Sequence, residues 1–114
     1  MYKSTHSFDE RKNECDKLSI SHPDRICVIV EPGKNEETLL PLTKKKFLIH
    51  KDLSFIEFKY IIVKQLTLNK SIAVYFYASD NIINTSTTMG VIHNEYRDDD
   101  GMLYINYVSE NTFG

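Results

Sequence analysis

The stretch Lys44 to Leu66, KKKFLIHKDLSFIEFKYIIVKQL, reads in one run as a strand, a capped turn and a helix. From Lys45 to His50, a period of two puts Lys46 and Leu48 on one face and Phe47 and Ile49 on the other. Ser54 followed three residues later by Glu57 is a capping-box pattern, and Leu53 with Phe58 fits a hydrophobic staple across the same helix start. Phe58, Ile61, Ile62 and Leu66 then recur at helical spacing.

Upstream, Ile26-Cys27-Val28-Ile29-Val30 is apolar at every position, so both faces of that strand must be covered. A long loop joins it to Lys45–His50, and the two strands are expected to pair antiparallel. Ahead of it, Ser7 and Glu10 form another capping box that opens a helix over residues 8–20, ended before Pro23. Phe8, Cys15 and Leu18 are its thin apolar stripe. Downstream, residues 72–78 read as a central strand. A weaker helix follows over Ser86 to Tyr96, with Met89, Ile92 and Tyr96 in register and Gly90 against it. Met102 to Val108 reads as the last strand. The order is helix, strand, strand, helix, strand, helix, strand. It predicts an α+β fold, a four-stranded mixed sheet crossed by a helix, in the ubiquitin-like β-grasp arrangement. Residues 1–24 would be an N-terminal helical extension packed on the sheet, 25–108 the β-grasp domain and 109–114 a flexible C-terminal tail.

The 114 residues fit one domain, and 41% apolar with 26% charged residues is the composition of a globular protein. Residues 1–60 carry 11 Lys/Arg against 10 Asp/Glu, and the net charge of −2 argues against a nucleic-acid partner. No apolar run approaches a membrane span, and residues 1–4 do not begin a signal peptide. Two cysteines make no disulfide framework, so a reducing compartment is expected. Asn69-Lys70-Ser71 and Asn84-Thr85-Ser86 are then chance matches to the glycosylation pattern.

Catalytic motifs are absent: no Gly-x-Ser-x-Gly, Walker loop, Cys-x-x-Cys or His-Glu-x-x-His occurs, and the four histidines are scattered. The chain is not expected to be an enzyme or to hold a cofactor or metal. Cys15 and Cys27 read as small core residues. Asp98-Asp99-Asp100-Gly101 lacks the alternating ligands and closing Glu of a calcium loop, and reads as an acidic turn.

Two features point to function. Ser109 to Gly114 reads either as a frayed end or as a tail presenting a glycine carboxylate; glycine, with no Cβ, can thread a narrow enzyme channel. The second strand, if it is a sheet edge, can receive a peptide strand, and Lys44, Lys45 and Lys46 would either protect the edge or attract acidic residues.

Several motifs in order along the chain carry a family resemblance: Phe8-x-x-Arg11-Lys12, His22-Pro23-Asp24-Arg25-Ile26, Lys44-Lys45-Lys46-Phe47-Leu48, Asp52-Leu53 with Phe58, Asp98-x-Asp100-Gly101-x-Leu103-Tyr104 and Glu110-Asn111-Thr112-Phe113-Gly114. The chain resembles the autophagy ubiquitin-like modifiers, the GABARAP and microtubule-associated light-chain group. The resemblance implies that activating and conjugating enzymes attach Gly114 to phosphatidylethanolamine, with Thr112 and Phe113 recognised by the processing and conjugation enzymes. A deconjugating cysteine protease would reverse the bond. The protein would move between the cytoplasm and the autophagosome membrane.

Docking in that family takes short aromatic-x-x-aliphatic motifs of cargo receptors and adaptors by strand addition. By resemblance, the aromatic pocket is Glu14, Leu18, Cys27, Ile29, Lys46, Leu48 and Met102. The aliphatic pocket is Phe47, Ile49, Leu53, Phe58 and Ile61, with Leu53 and Ile61 expected to serve the core as well. Arg25, Lys44 and Lys45 would meet acidic residues of the motif. Cys27 and His50 stand where the family usually has Pro, and Met102 where it usually has Phe. The rival readings are a modifier of the same fold conjugated to protein, and a peptide-binding adaptor that is not conjugated.

Overall fold

In the computed structural model, which describes residues 1–36, 39, 42–66 and 73–110, the apolar run around Val28 becomes β1 (Arg25–Pro32), an interior strand of a five-stranded sheet. The remaining strands are β2 (Lys46–His50), β3 (Val74–Ala78), β4 (Asn81–Ile82) and β5 (Leu103–Ser109). Their order is β2-β1-β5-β3-β4. β1 and β5 are parallel, with Val28 opposite Leu103 and Val30 opposite Ile105. β2 pairs antiparallel with β1, and β3 antiparallel with β5.

Register divides the sheet into two faces. Val28, Val30, Phe47, Val74, Phe76, Leu103, Ile105 and Tyr107 point to one side and form the main core with α3 (Phe55–Leu66) and α4 (Met89–Tyr96). Cys27, Ile29 and Met102 point to the other side, under α1 (Tyr2–Thr5) and α2 (Phe8–Ser21). Both faces of β1 are therefore covered, as its unbroken apolar run requires.

The Ser7–Glu10 capping box is complete, with the Ser7 N–H donating to Glu10 at 2.9 Å and the Glu10 N–H to Ser7 at 3.2 Å. The expected stripe of α2 shifts. Phe8 is 45% exposed, and the buried positions are Arg11 and Cys15. Arg11, Cys15 and Leu18 follow i, i+4, i+7 spacing, so the face turned to the sheet begins with a charge. The stripe of α3 also shifts, to Phe55, Phe58, Ile62 and Leu66. Ile61 lies off that line and is 42% exposed, so it does not serve the core as expected, whereas Leu53 packs against it.

The start of α3 differs in detail. The Ser54 hydroxyl accepts the Glu57 N–H and donates to the Glu57 carboxylate, so the box closes on the hydroxyl. Ser54 forms a bridge with Thr88, and Phe55 N–H and Met89 N–H donate to Thr87 and Leu53 carbonyls. This bridge ties the two helix starts together and delays α4 to Met89, three residues later than the sequence pattern suggested; Thr88 is its cap.

Two elements go beyond the predicted order. α1 precedes the capping box, and β4 adds a fifth strand through a two-residue turn. Ser79 and Asp80 both have positive φ, 50° and 63°, the backbone that matches the twist of a tight hairpin. β5 runs to Ser109, which is buried and lies opposite Val74, so the residue assigned to the start of the tail is strand. Among the described residues, no helix is long and apolar enough to cross a membrane.

Candidate functional site: the open edge of the sheet

β2 has one neighbour, β1, so its other side is a sheet edge among the described residues. Hydrogen bonds fix which residues use that edge. Val30 N–H donates to Lys45 at 2.8 Å, and Lys51 N–H donates to the Asp24 carbonyl at 2.9 Å. Bonded pairs alternate along an antiparallel ladder, so residues 45, 47, 49 and 51 bond to β1. The backbone N–H and C=O groups of Lys46 and Leu48 therefore point outward, spaced to take an added strand.

The side chains of β2 divide between the two faces of the sheet on either side of that backbone. Lys46 and Leu48 lie opposite Ile29 and Cys27, on the α2 face. Ile29 and Met102 are fully buried and Cys27 nearly so. Leu18 and Leu48 are half-buried, and Leu18 packs on this cluster. Glu14 on α2 and Lys46 on β2 form an ion pair that joins the two elements. All seven residues expected in the aromatic pocket thus lie around the α2–β2 side of the sheet.

Phe47 and Ile49 point the other way. Phe47 is buried edge-on against Phe58, ring centroids 6.1 Å apart. Ile49 and Leu53 pack on the same core and remain partly exposed, and Ile61 is one helical turn beyond Phe58 at the surface. On this face Phe47 and Phe58 are therefore buried beneath Ile49, Leu53 and Ile61, which lie toward solvent. Arg25, Lys44 and Lys45 are exposed near this edge, and Lys44 lies 5.1 Å over the Phe47 ring. His50 lies between two carboxylates, 3.3 Å from Asp24 and 3.7 Å from Asp52. Its Nδ1 accepts the Asp52 N–H at 3.1 Å. Thr112, Phe113 and Gly114 lie outside the described residues.

Burial pushes the Cys27 thiol up to about 12, and burial raises Cys15 as well. Both are neutral thiols that fill space, consistent with a core role. Cys15 also explains Gly101. This residue has φ +90°, and a Cβ there would lie 2.7 Å from the Cys15 sulfur.

The acidic turn has a second role that its sequence pattern did not disclose. Asp100 is fully buried and accepts from Arg11 at 2.7 Å, the Tyr104 hydroxyl at 2.5 Å and the Met102 N–H at 2.8 Å. Asp98 pairs with Lys3 at 2.8 Å. The turn thus anchors both N-terminal helices over Cys27, Ile29 and Met102. The available signal was the charged Arg11 in register with Cys15 and Leu18, facing a chain segment with three successive aspartates.

A mixed sheet crossed by one helix, with two helices added before its first strand, defines a ubiquitin-like fold of a specialised kind. The model of the family described as autophagy protein Atg8, ubiquitin-like, matches residues 10–114. Autophagy-related protein 8 of Mycosarcoma maydis is 39% identical over 114 residues, covering 99% of this chain and 95% of that protein. Its counterpart in Coccidioides immitis is 36% identical over 113 residues, covering 99% and 96%. The crystal structure of Trypanosoma brucei ATG8 superposes with a TM-score of 0.89 at 34% identity, covering 99% of this chain and 97% of that one. The chain belongs to the Atg8 family of ubiquitin-like autophagy proteins.

Proposed function

We propose that this chain is a modifier conjugated through Gly114, exposed as a carboxyl terminus, to phosphatidylethanolamine, and that it displays the β2 edge as a docking site on autophagosomal membranes. Activating and conjugating enzymes would attach it, and a cysteine protease would release it. The chemistry resides in those enzymes; this chain is their substrate and supplies no catalytic residue. Membership of the family, whose match extends through Thr112, Phe113 and Gly114, supports the conjugation reading. Burial of two acyl chains would hold the domain on a bilayer, because one myristoyl-length chain alone binds only marginally.

The observation that carries the docking reading is the edge itself. Lys46 and Leu48 offer outward backbone groups, with the Lys46 and Leu48 side chains on one face of the strand and Phe47 and Ile49 on the other. A strand added there would place alternate side chains toward the two faces. An aromatic residue would enter between α2 and β2, and an aliphatic residue three positions on would lie over Phe47 and Phe58. Arg25, Lys44 and Lys45 would attract acidic residues beside the motif. The partners are therefore cargo receptors and adaptors bearing such motifs.

Titration calorimetry with a synthetic acidic peptide containing one aromatic-x-x-aliphatic motif tests this. Leu48→Ala should weaken binding at least several-fold with an unchanged thermal transition. An unchanged affinity would reject the site.

A further inference from the structure

The Glu14–Lys46 pair at the proposed aromatic pocket is held from behind. The second carboxylate oxygen of Glu14 accepts the Tyr2 hydroxyl at 3.0 Å. Tyr2 is itself fixed: it is 7% exposed, its N–H donates to the buried Glu31 carboxylate at 2.7 Å, and its ring stacks on His6 with centroids 4.1 Å apart. Next to it, Lys3 donates to Asp98 at 2.8 Å and lies 4.5 Å over the Tyr104 ring. The four-residue α1 is thus tied to β1, β5 and the acidic turn while it presents one hydroxyl to the pocket mouth.

Protonation states suit this arrangement. Burial, then the Glu14 hydrogen bond, pushes the Tyr2 phenol up, so it remains a donor. Lys46 holds the Glu14 carboxyl below the usual carboxylate range, so it remains an ionised acceptor. An ion pair at a solvent-exposed mouth gains little when both long side chains must be ordered to form it. With Glu14 already fixed by Tyr2, only Lys46 must be ordered, and the latch is stronger.

We propose that Tyr2 is a positioning residue for the aromatic pocket: it holds Glu14 in the conformation that latches Lys46 across the mouth, so α1 sets how readily the pocket opens. An entering aromatic side chain must separate Glu14 from Lys46, which releases Lys46 toward an acidic residue of the incoming strand. The inference rests on the docking reading above, and its test separates the two.

The experiment measures association rate and affinity of the same acidic motif peptide, by stopped-flow fluorescence and calorimetry. The proteins are the full chain and its Tyr2→Phe, Glu14→Ala, Tyr2→Phe/Glu14→Ala and Leu48→Ala variants. Tyr2→Phe keeps the ring and its stacking and removes only the hydroxyl. It should tighten binding roughly two- to five-fold, the size expected when one exposed polar pair is loosened, with the change in the association rate. In the Glu14→Ala background, Tyr2→Phe should change neither quantity. If Leu48→Ala weakens binding but Tyr2→Phe leaves the rate unchanged or slows it, the latch is refuted and the docking site stands. An equal Tyr2→Phe effect with and without Glu14 also refutes it. No effect of Leu48→Ala overturns the docking reading itself. A melting curve for each variant reports the fold, and should Tyr2→Phe loosen α1, faster binding by Glu14→Ala with α1 intact still supports the latch while unchanged or slower binding rejects it.

Discussion

Replacing Asp100 with Ala should be among the most damaging single changes outside the apolar core. The side chain is fully buried and accepts three hydrogen bonds, from Arg11, the Tyr104 hydroxyl and the Met102 N–H. Truncation removes the common acceptor and leaves donors facing a protein interior. An unpaired buried donor costs about 1–3 kcal/mol. The buried Met102 N–H counts about 2 kcal/mol and the half-buried Tyr104 hydroxyl about 1–2 kcal/mol, together about 3–4 kcal/mol. For a domain of this size 1 kcal/mol shifts the melting temperature by about 4 °C, so the expected fall is roughly 12–16 °C. Differential scanning calorimetry on Asp100→Ala, beside Asp99→Ala as the exposed neighbour, measures it. Asp99→Ala should change stability by less than about 0.5 kcal/mol. Arg11→Met added to Asp100→Ala should restore part of the loss, because residues in one network are not additive. A fall below about 3 °C for Asp100→Ala, or equal effects at 99 and 100, would refute the anchoring role given to this turn.

Other outcomes follow from the same contacts. Cys15 and Cys27 should resist a thiol-specific colour reagent at neutral pH in the native state and react together once urea unfolds the chain, because burial holds both thiols neutral. Prompt labelling of the folded protein would contradict that packing. Glu14 is depressed first by Lys46, so its contribution to stability is present above the ordinary value of 4.5 and is lost as pH falls through the lower native value. The urea midpoint should therefore hold steady down to the region of 4.5 and fall below it, and Glu14→Gln should reduce that fall. Gly101→Ala should destabilise the domain, since it puts a Cβ 2.7 Å from the Cys15 sulfur at φ +90°; a thermal melt equal to wild type would show that α2 is not seated as described.

The sheet was legible where periodicity and cap chemistry agreed. The run at Val28 required burial on both faces, and period two at Lys46 to Ile49 separated the two sides of the edge correctly. Helix phase was less legible. Ile61 and Ile62 are both apolar, and only packing against Phe58 and Leu66 decides that Ile62 is inside. The same ambiguity placed Phe8 in the stripe of α2, where Arg11 is the buried residue because Asp100, 89 positions away, supplies its partner. The register of Arg11 with Cys15 and Leu18 hints at its burial, but the local pattern does not name so distant a partner. β4 escaped notice because two residues show no period, although Ser79-Asp80 marks the turn. The seven residues of the proposed aromatic pocket were grouped by family resemblance, whereas the Tyr2–Glu14–Lys46 chain of contacts is visible only in the three-dimensional arrangement.

Conjugation through Gly114 would turn the domain into a membrane-displayed docking module. Incubation with purified activating and conjugating enzymes, ATP and phosphatidylethanolamine liposomes, followed by flotation and intact-mass analysis, tests it most directly. A chain ending at Gly114 should float with the vesicles and gain the mass of one phosphatidylethanolamine less water, and deletion of Gly114 should abolish both. A chain that forms no lipid adduct under conditions that lipidate another family member, or a Gly114-deleted chain that is lipidated equally, would contradict it.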